Sequence, residues 1–321
     1  MDETPNAQSA VTIDCDYIHP GRMAAYLLVE GKQAVFVDNN TPHAVPLLLG
    51  VLAQRGLVPE NVVYAVVTHV HLDHAAGTAA LLSQCPRAQV LVHPRAVRHL
   101  IDPGRVVAGA KQVYGEAVFA KLYGEIAPVD AARIRTVEDG EAVCLGERPL
   151  VFLHTRGHAN HHICMYDSRS HGVFTGDTFG VSPPSRGSRR SDVVLFSCPP
   201  TDFDPQEARN SIGRIAATGA ERAYLSHFGE VAPVDRAAQQ LLRSVDSLEV
   251  ILNEAVAAAP HNDPLNGFCE PRLRAAIERE SAQRHAPLTQ EDWDWLAPDI
   301  RINAQGLAHL AAKRMAGTPT R

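Results

Sequence analysis

The chain is expected to fold as a mixed α/β protein, with helices covering β-sheet and a C-terminal extension built from helices alone. Three features carry that expectation. β-prone runs alternate with helical patterns up to about residue 93, β-prone runs return after a helical stretch, and no clear strand signal follows from about 233 to 316.

Residues 24–29 (AAYLLV) and 33–38 (QAVFVD) are apolar, β-prone runs separated by the turn EGK, the pattern of a hairpin. Helical spacing follows at about 43–55. The run NVVYAVV (61–67) predicts a strand, AAGTAALLSQ (75–84) a helix and AQVLV (88–92) another strand. Residues 94–126 read as a helical insertion, after which strand signals resume at IRTV, PLVFLHT, HHICMYD and HGVFTGD. Asp204-Pro205-Gln206-Glu207 supplies an N-cap, a proline at the first helical position and an acid in the first turn, so a helix should run from there to about 217. The strand RAYLS (222–226) then leads into His227. Helical patterns such as APVDRAAQQLLRSVDSLEVILNEAVAAA and RLRAAIERESAQRH, broken at PHNDPLNG, make up the tail. The expected organisation is a catalytic domain over 1–232, interrupted by the insertion at about 94–126, and an α-helical extension over 233–321.

With 321 residues and 45% hydrophobic content, the chain is long enough for one large globular domain plus an appendage. Its mixed, slightly acidic charge, net −6, gives no sign of the basic surface that nucleic-acid binding needs, so no nucleic-acid partner is expected. The first residues, MDETPNAQSAVTID, are polar and acidic, and no apolar run approaches the roughly 18 residues of a membrane span. A cytoplasmic protein without a membrane partner is the expectation. Six cysteines form no CxxC pair and read as reduced, mostly buried residues.

Sixteen histidines are the compositional oddity, because six of them fall within residues 69–74 and 158–162. The stretch THVHLDHAAG (68–77) places three histidines and an aspartate directly after a predicted strand. Near a strand end, residues two apart point to the same side, so His69 and His71 can converge on one point. Asp73 and His74 fall where the next helix starts and offer an oxygen and a nitrogen toward a neighbouring point. Further ligands should sit at other strand ends, where loops converge. His158, Asp177 and His227 each occupy such a terminus. A carboxylate can bridge two cations, which makes Asp177 the natural shared ligand. One site would be His69, His71, His158 and Asp177, and the other Asp73, His74, Asp177 and His227. Mixed nitrogen and oxygen donors suit zinc, iron or manganese. Two divalent ions are expected, zinc being the first choice.

These residues resemble the metallo-β-lactamase-fold hydrolase superfamily. The match consists of HxHxDH at His69 to His74, Gly157-His158, Gly176-Asp177, Ser226-His227-Phe228-Gly229 and an early aspartate, Asp38, over about residues 11–230. The resemblance implies a four-layer αβ/βα sandwich, the metallo-β-lactamase fold, with metals at one edge. The early motif usually reads Asp-Thr-Gly; here it is Asp38-Asn39-Asn40, a change expected to alter the turn without touching a metal ligand. An aspartate at the bridging position is similar to the glyoxalase II type rather than to true β-lactamases.

The chemistry implied is hydrolysis of a small ester, thioester or lactone by a metal-bridging hydroxide, with Asp73 as both ligand and proton acceptor. Two other readings stay open at this stage. One is a mononuclear-iron oxidoreductase similar to persulfide dioxygenases, which would use His69, His158 and Asp177. The other is a regulatory protein whose hydrolase site is secondary, a layout similar to the quinolone-signal response proteins. Arg186, Arg189 and Arg190, in the loop VSPPSRGSRRSD, and His161 are candidate contacts for a small-molecule substrate. His93, His99 and His154 are set aside as surface or structural. Trp293 and Trp295 suit either packing onto the catalytic domain or a homodimer contact through the C-terminal helices.

Overall fold

The computed structural model describes residues 10–184, 193–200, 202–258, 265–283 and 287–317. One sheet has the spatial order β1 (Val11–Asp14), β2 (Ala24–Glu30), β3 (Gln33–Val37), β4 (Val62–Val66), β5 (Gln89–Val92) and β6 (Ile134–Thr136). Its first three strands pair antiparallel, and β3 to β6 pair parallel. The second sheet contains β7 (Ala142–Leu145), β8 (Arg148–His154), β9 (Ile163–Asp167), β10 (Gly172–Gly176), β11 (Arg222–Leu225) and β12 (Gly229–Val231), lying side by side in that order. Only β10 and β11 are parallel there.

The side-chain alternation of the strands builds the layers. On β2, Ala25 and Leu27 pack outward beneath helices, while Ala24, Tyr26 and Leu28 pack inward against the second sheet. Ala34 and Phe36 of β3 face outward, and Val35 and Val37 inward. Both faces are buried, so the runs are apolar at every position instead of at every second one. Helices α1 (Val45–Gln54), α2 (Leu72–Ala75), α3 (Thr78–Gln84), α4 (Val97–Ile101), α5 (Gly104–Tyr114) and α6 (Glu116–Tyr123) follow strands of the first sheet, and their apolar side chains share its outer core. On the opposite side, α7 (Pro205–Ala216), α8 (Val234–Ala258), α9 (Leu265–Gln283) and α10 (Gln290–Met315) share one core with the outer face of the second sheet. The result is the αβ/βα sandwich, with C-terminal helices added to one outer layer.

Three strands carry no strong sequence signal: β1, β7 and β12. All three lie at sheet edges, and each is three or four residues long with at least one exposed position. A short, half-wet edge strand needs little apolar sequence, which removes the cue that marks the central strands. The single helix expected over AAGTAALLSQ is instead two, α2 and α3, parted at Gly77. A Cβ at Gly77 would stand 2.8 Å from the carbonyl oxygens of Asn39 and Thr41, so the chain passes this point only as glycine. The insertion is helical but jointed, with Gly115 at φ 78° between α5 and α6. As expected, α7 is capped by Asp204, whose Oδ1 accepts from the amides of Gln206 and Glu207 at 3.0 and 3.1 Å. No helix among the described residues is long and apolar enough to cross a membrane.

One ion pair ties the inner layers together. Arg148 at the start of β8 grips Asp167 at the end of β9 through Nε–Oδ1 at 2.8 Å and Nη2–Oδ2 at 2.5 Å, and its Nη1 reaches the Val29 carbonyl of β2 at 3.4 Å. Both residues are essentially buried. Removing one member leaves an uncompensated charge in the interior, so Arg148→Ala should lower unfolding free energy by about 3–5 kcal/mol. Urea denaturation followed by far-UV circular dichroism reads this, and the double variant Arg148→Met/Asp167→Leu should lose less.

Candidate metal centre

Beyond β4 the chain bends at Thr68 and enters α2 after His71, whose φ −62° and ψ 145° are extended. His69 and His71 therefore project from the connection between β4 and α2, and Asp73 and His74 from the first turn of α2. His158 lies in the loop after β8, Asp177 directly follows β10, and His227 lies between β11 and β12. Seven strand-end residues converge in two groups, His69, His71, His158 and Asp177 in one and Asp73, His74 and His227 in the other. Within each group the donor atoms lie within 4.8 Å of one another.

In the first group, His71 Nδ1 sits 2.9 Å from His69 Nε2 and 3.1 Å from His158 Nε2, and His158 Nε2 is 3.4 Å from Asp177 Oδ2. In the second, His227 Nε2 is 3.2 Å from Asp73 Oδ2, and His74 Nε2 is 3.9 Å from the same oxygen. Asp177 faces both groups. Its Oδ2 points to the first, whereas its Oδ1 lies 3.2 Å from His74 Nε2 and 3.7 Å from His227 Nε2.

The far nitrogens of these rings are anchored. His74 Nδ1 donates to Asp38 Oδ2 at 2.7 Å, His158 Nδ1 to the Ser197 carbonyl at 3.1 Å, and His227 Nδ1 to the Arg22 carbonyl at 3.0 Å. His69 Nδ1 is 3.1 Å from Thr68 Oγ1, whose hydroxyl in turn donates to Asp38. Anchoring Nδ1 in this way keeps each Nε2 directed at its neighbours.

Two glycines make room for the ligands that follow them. Gly176 has φ 48°, and a Cβ there would stand 2.5 Å from His162 Nε2 and 2.7 Å from Thr68 Oγ1. Gly157 has φ 117°, and a Cβ there would overlap the backbone of Ala208 on α7. His162 itself accepts from the Asp177 amide at 3.3 Å and bonds Thr155 Oγ1 at 2.9 Å through its other nitrogen.

Burial holds the first-group imidazoles in the neutral form that donates a lone pair. It lowers His69 and His71 below the usual histidine range and His158 to about 4. Burial would also lower His74 and His227, but Asp177 and Asp38 outweigh it at His74, and Asp177 and Asp73 at His227, so both are raised. For Asp73 and Asp177 burial pushes upward; His74 and His227 outweigh it and hold both carboxyls below the usual range.

A divalent cation fits this donor set. His74 Nε2 and Asp177 Oδ1 are buried and face each other at 3.2 Å without a well-aligned hydrogen bond, an arrangement that a cation bound by both would satisfy. The donors gathered around them are imidazoles and carboxylates.

The family model described as the metallo-beta-lactamase superfamily matches residues 21–227. The chain belongs to that superfamily. Over 174 residues it is 28% identical to the metallo-beta-lactamase fold-containing protein ST1585 of Sulfurisphaera tokodaii, covering 53% of this chain and 62% of that one. The crystal structure of ST1585 superposes with a TM-score of 0.62 at 21% identity, covering 93% of this chain and 98% of that one. An atrochrysone carboxyl ACP thioesterase of Aspergillus chevalieri is 28% identical over 155 residues, 47% of this chain and 38% of that one. The acyl-coenzyme A thioesterase MBLAC2 of Gallus gallus is 27% identical over 134 residues, 40% of this chain and 46% of that one. The chain thus spans less than two thirds of the length of each of these relatives in sequence.

Within this metallo-beta-lactamase centre, one sequence expectation is overturned. Asp38-Asn39-Asn40 does touch the candidate ligands: Asp38 receives the His74 ring, the Asn39 amide donates to the His74 carbonyl at 3.1 Å, and Asn40 Nδ2 donates to the Asp73 carbonyl at 2.9 Å. Positive φ at Asp38 and Asn40 turns the chain back onto α2, a path that the motif letters do not show. Arg186, Arg189 and Arg190 lie outside the described residues. His161 joins neither donor group, and its ring lies 6.2 Å from that of His71.

Sequence reasoning missed the link from the C-terminal helices to the centre. Trp295 of α10 packs within the chain, donating from Nε1 to the Gly21 carbonyl at 2.8 Å. Asp299, one turn later, holds Arg22 by two bonds of 2.7 and 2.8 Å, and the Arg22 guanidinium stacks 4.7 Å from the Trp295 ring. The Arg22 carbonyl is the acceptor for His227. The signal available in sequence was a lone arginine and a distant aspartate, 277 positions apart.

Asp38→Ala should weaken binding of the second divalent ion about 10–100-fold, the usual effect of removing a ligand's hydrogen-bond partner; competition with a chromophoric chelator measures it. Asp299→Asn should weaken the same ion by roughly tenfold through loss of the Arg22 clamp, leaving the first ion in place. Equal loss of both ions would show that α10 supports the fold as a whole and not His227.

Proposed function

We propose that this metallo-hydrolase holds two divalent cations and cleaves a small ester, thioester or lactone, with thioesters preferred. The observation that carries the reading is the Asp177 carboxylate, which turns one oxygen to each of two donor groups. His69, His71, His158 and Asp177 would hold one ion, and Asp73, His74, Asp177 and His227 the other. Zinc is the first choice for these donors, and iron and manganese accept the same set. Bound there, the ions would supply Lewis acidity toward a substrate carbonyl and bring the pKa of a coordinated water from about 15.7 toward about 7.

The residues divide the remaining work. Asp73 accepts the proton of the attacking water. Its side chain is 25% exposed against 7% for Asp177, so it is the more accessible of the two carboxylates. His69, His158 and His227 keep their donor nitrogens aimed through the Nδ1 anchors described above. His161, which lines the cleft beside His71, is assigned to substrate contact in this reading.

The thioester preference draws support from two relatives whose names describe thioesterases, one acting on an acyl carrier protein and one on acyl-coenzyme A. A single-iron oxidoreductase would leave the buried group of Asp73, His74 and His227 without a task. We read 1–232 as the catalytic unit, with the insertion as one wall of its cleft, and 233–321 as an extension. All six cysteines are free thiols, which suits a reducing cytoplasm.

Metal analysis of the purified protein should find close to two divalent ions per chain. The same sample should turn over an activated thioester faster than a lactone, a phosphodiester or a β-lactam. Asp177→Asn should lower metal content and reduce thioester turnover by at least about 100-fold, since both ions lose a ligand. One ion per chain with oxygen consumption on a persulfide, and no ester turnover, would overturn the proposal.

A further inference from the structure

A cleft of about 1030 Å³ opens beside His71. It is continuous with the metal centre: His71 and His161 line it, and the His161 ring lies 5.7 Å from that of His99, which lines the outer part. His99, set aside on sequence as surface or structural, is thus part of the cleft wall. Four guanidinium groups, those of Arg95, Arg98, Arg105 and Arg156, line the same space, against one carboxylate, Asp202.

This excess of positive charge does not follow from composition. The chain carries 36 acidic and 30 basic residues, yet here bases outnumber acids four to one. Arg156 is engaged, donating to Asn160 Oδ1 at 2.9 Å and approaching Glu207 at 3.5 Å. Arg98 Nε contacts only the neighbouring His99 ring, at 3.1 Å. Among the described residues, neither Arg95, Arg98 nor Arg105 has a carboxylate at ion-pair distance. Like charges gathered on a concave wall repel one another and focus a positive potential onto whatever enters. Each guanidinium fork matches a carboxylate or a phosphate, and several forks around one cleft suit a ligand with many charged oxygens, as phosphate provides and a lone carboxylate does not.

We propose that the arginine cleft is an anion subsite of the active site, receiving phosphate groups on the thiol side of a thioester. This rests on the thioester reading above. The shared ligand chemistry is a phosphorylated pantetheine thiol, carried either on free coenzyme A or on a carrier protein.

The test compares three substrates with one acyl group: octanoyl-coenzyme A, octanoyl carrier protein and the phosphate-free octanoyl-N-acetylcysteamine. Wild-type protein should prefer a phosphorylated substrate, and added salt should shrink the preference. Arg98→Ala/Arg105→Ala should lower kcat/KM for that substrate roughly tenfold or more, mainly through KM, with turnover of the N-acetylcysteamine thioester unchanged. Lysine at both positions should restore only part of the loss, because the forked geometry is gone. A preference for coenzyme A or for the carrier protein, with the same arginine dependence, identifies the source of the phosphate. Equal turnover of all three substrates, or arginine variants that match wild type on each, overturns the subsite.

Calorimetric titration with coenzyme A alone separates the two proposals. Binding that needs Arg98 and Arg105, without turnover of any thioester, upholds the subsite and removes the hydrolase reading. Thioester turnover without arginine dependence does the reverse.

Discussion

Asp38 is the side chain on which the geometry of the centre depends. Its carboxylate accepts from the Thr68 amide and hydroxyl, from His74 Nδ1 and from Ser226 Oγ at 2.7 to 3.0 Å. One buried group thereby joins the ends of β3, β4 and β11 to the first turn of α2. A charge taken out of water is costly unless its lone pairs are used, and here hydrogen bonds reach both oxygens. Because the donors come from both sheets, satisfying Asp38 also sets how the two sheets meet at this edge. The candidate ligands inherit their positions from that meeting.

Asp177 has the complementary role at the centre of the cluster. Gly176 lets β10 end close against Thr68 and His162, and the His162 ring takes the Asp177 amide. With its backbone held, the carboxylate can only project between the two groups of imidazoles. The meeting of Asp177 Oδ1 and His74 Nε2 is then a consequence of construction: two polar atoms are buried face to face at 3.2 Å, a spacing that two ligands of one cation can adopt.

Additions at the two ends of the fold act on different parts of this centre. Helix α10 reaches Arg22 through Asp299 and Trp295, and Arg22 supports His227, so the C-terminal helices bear on the second donor group. The insertion bears on the surroundings instead, bringing Arg95, Arg98 and Arg105 to the cleft beside His71. A common metal-binding edge with separate substrate walls is how one fold serves several substrates, since loops can change without moving the ligands.

Much of this was legible in the letters. Central strands such as β2 and β3 are buried on both faces and so are written in unbroken apolar runs. The cap of α7 is written in Asp204-Pro205, and HxHxDH is local enough for geometry to be read from spacing. The edge strands β1, β7 and β12 were not legible, because a strand paired on one side needs few apolar residues. Nor was the service of Asp38 to His74, the hold of Asp299 on Arg22, or the gathering of Arg95, Arg98, Arg105 and Arg156 around one cleft. By itself the sequence determined which segments are helix or central strand and which side chains are able to bind a cation. Only the tertiary structure decided which oxygen of Asp177 faces which imidazoles and where positive charge collects, because hydrogen bonds and fields depend on distances through space and not along the chain.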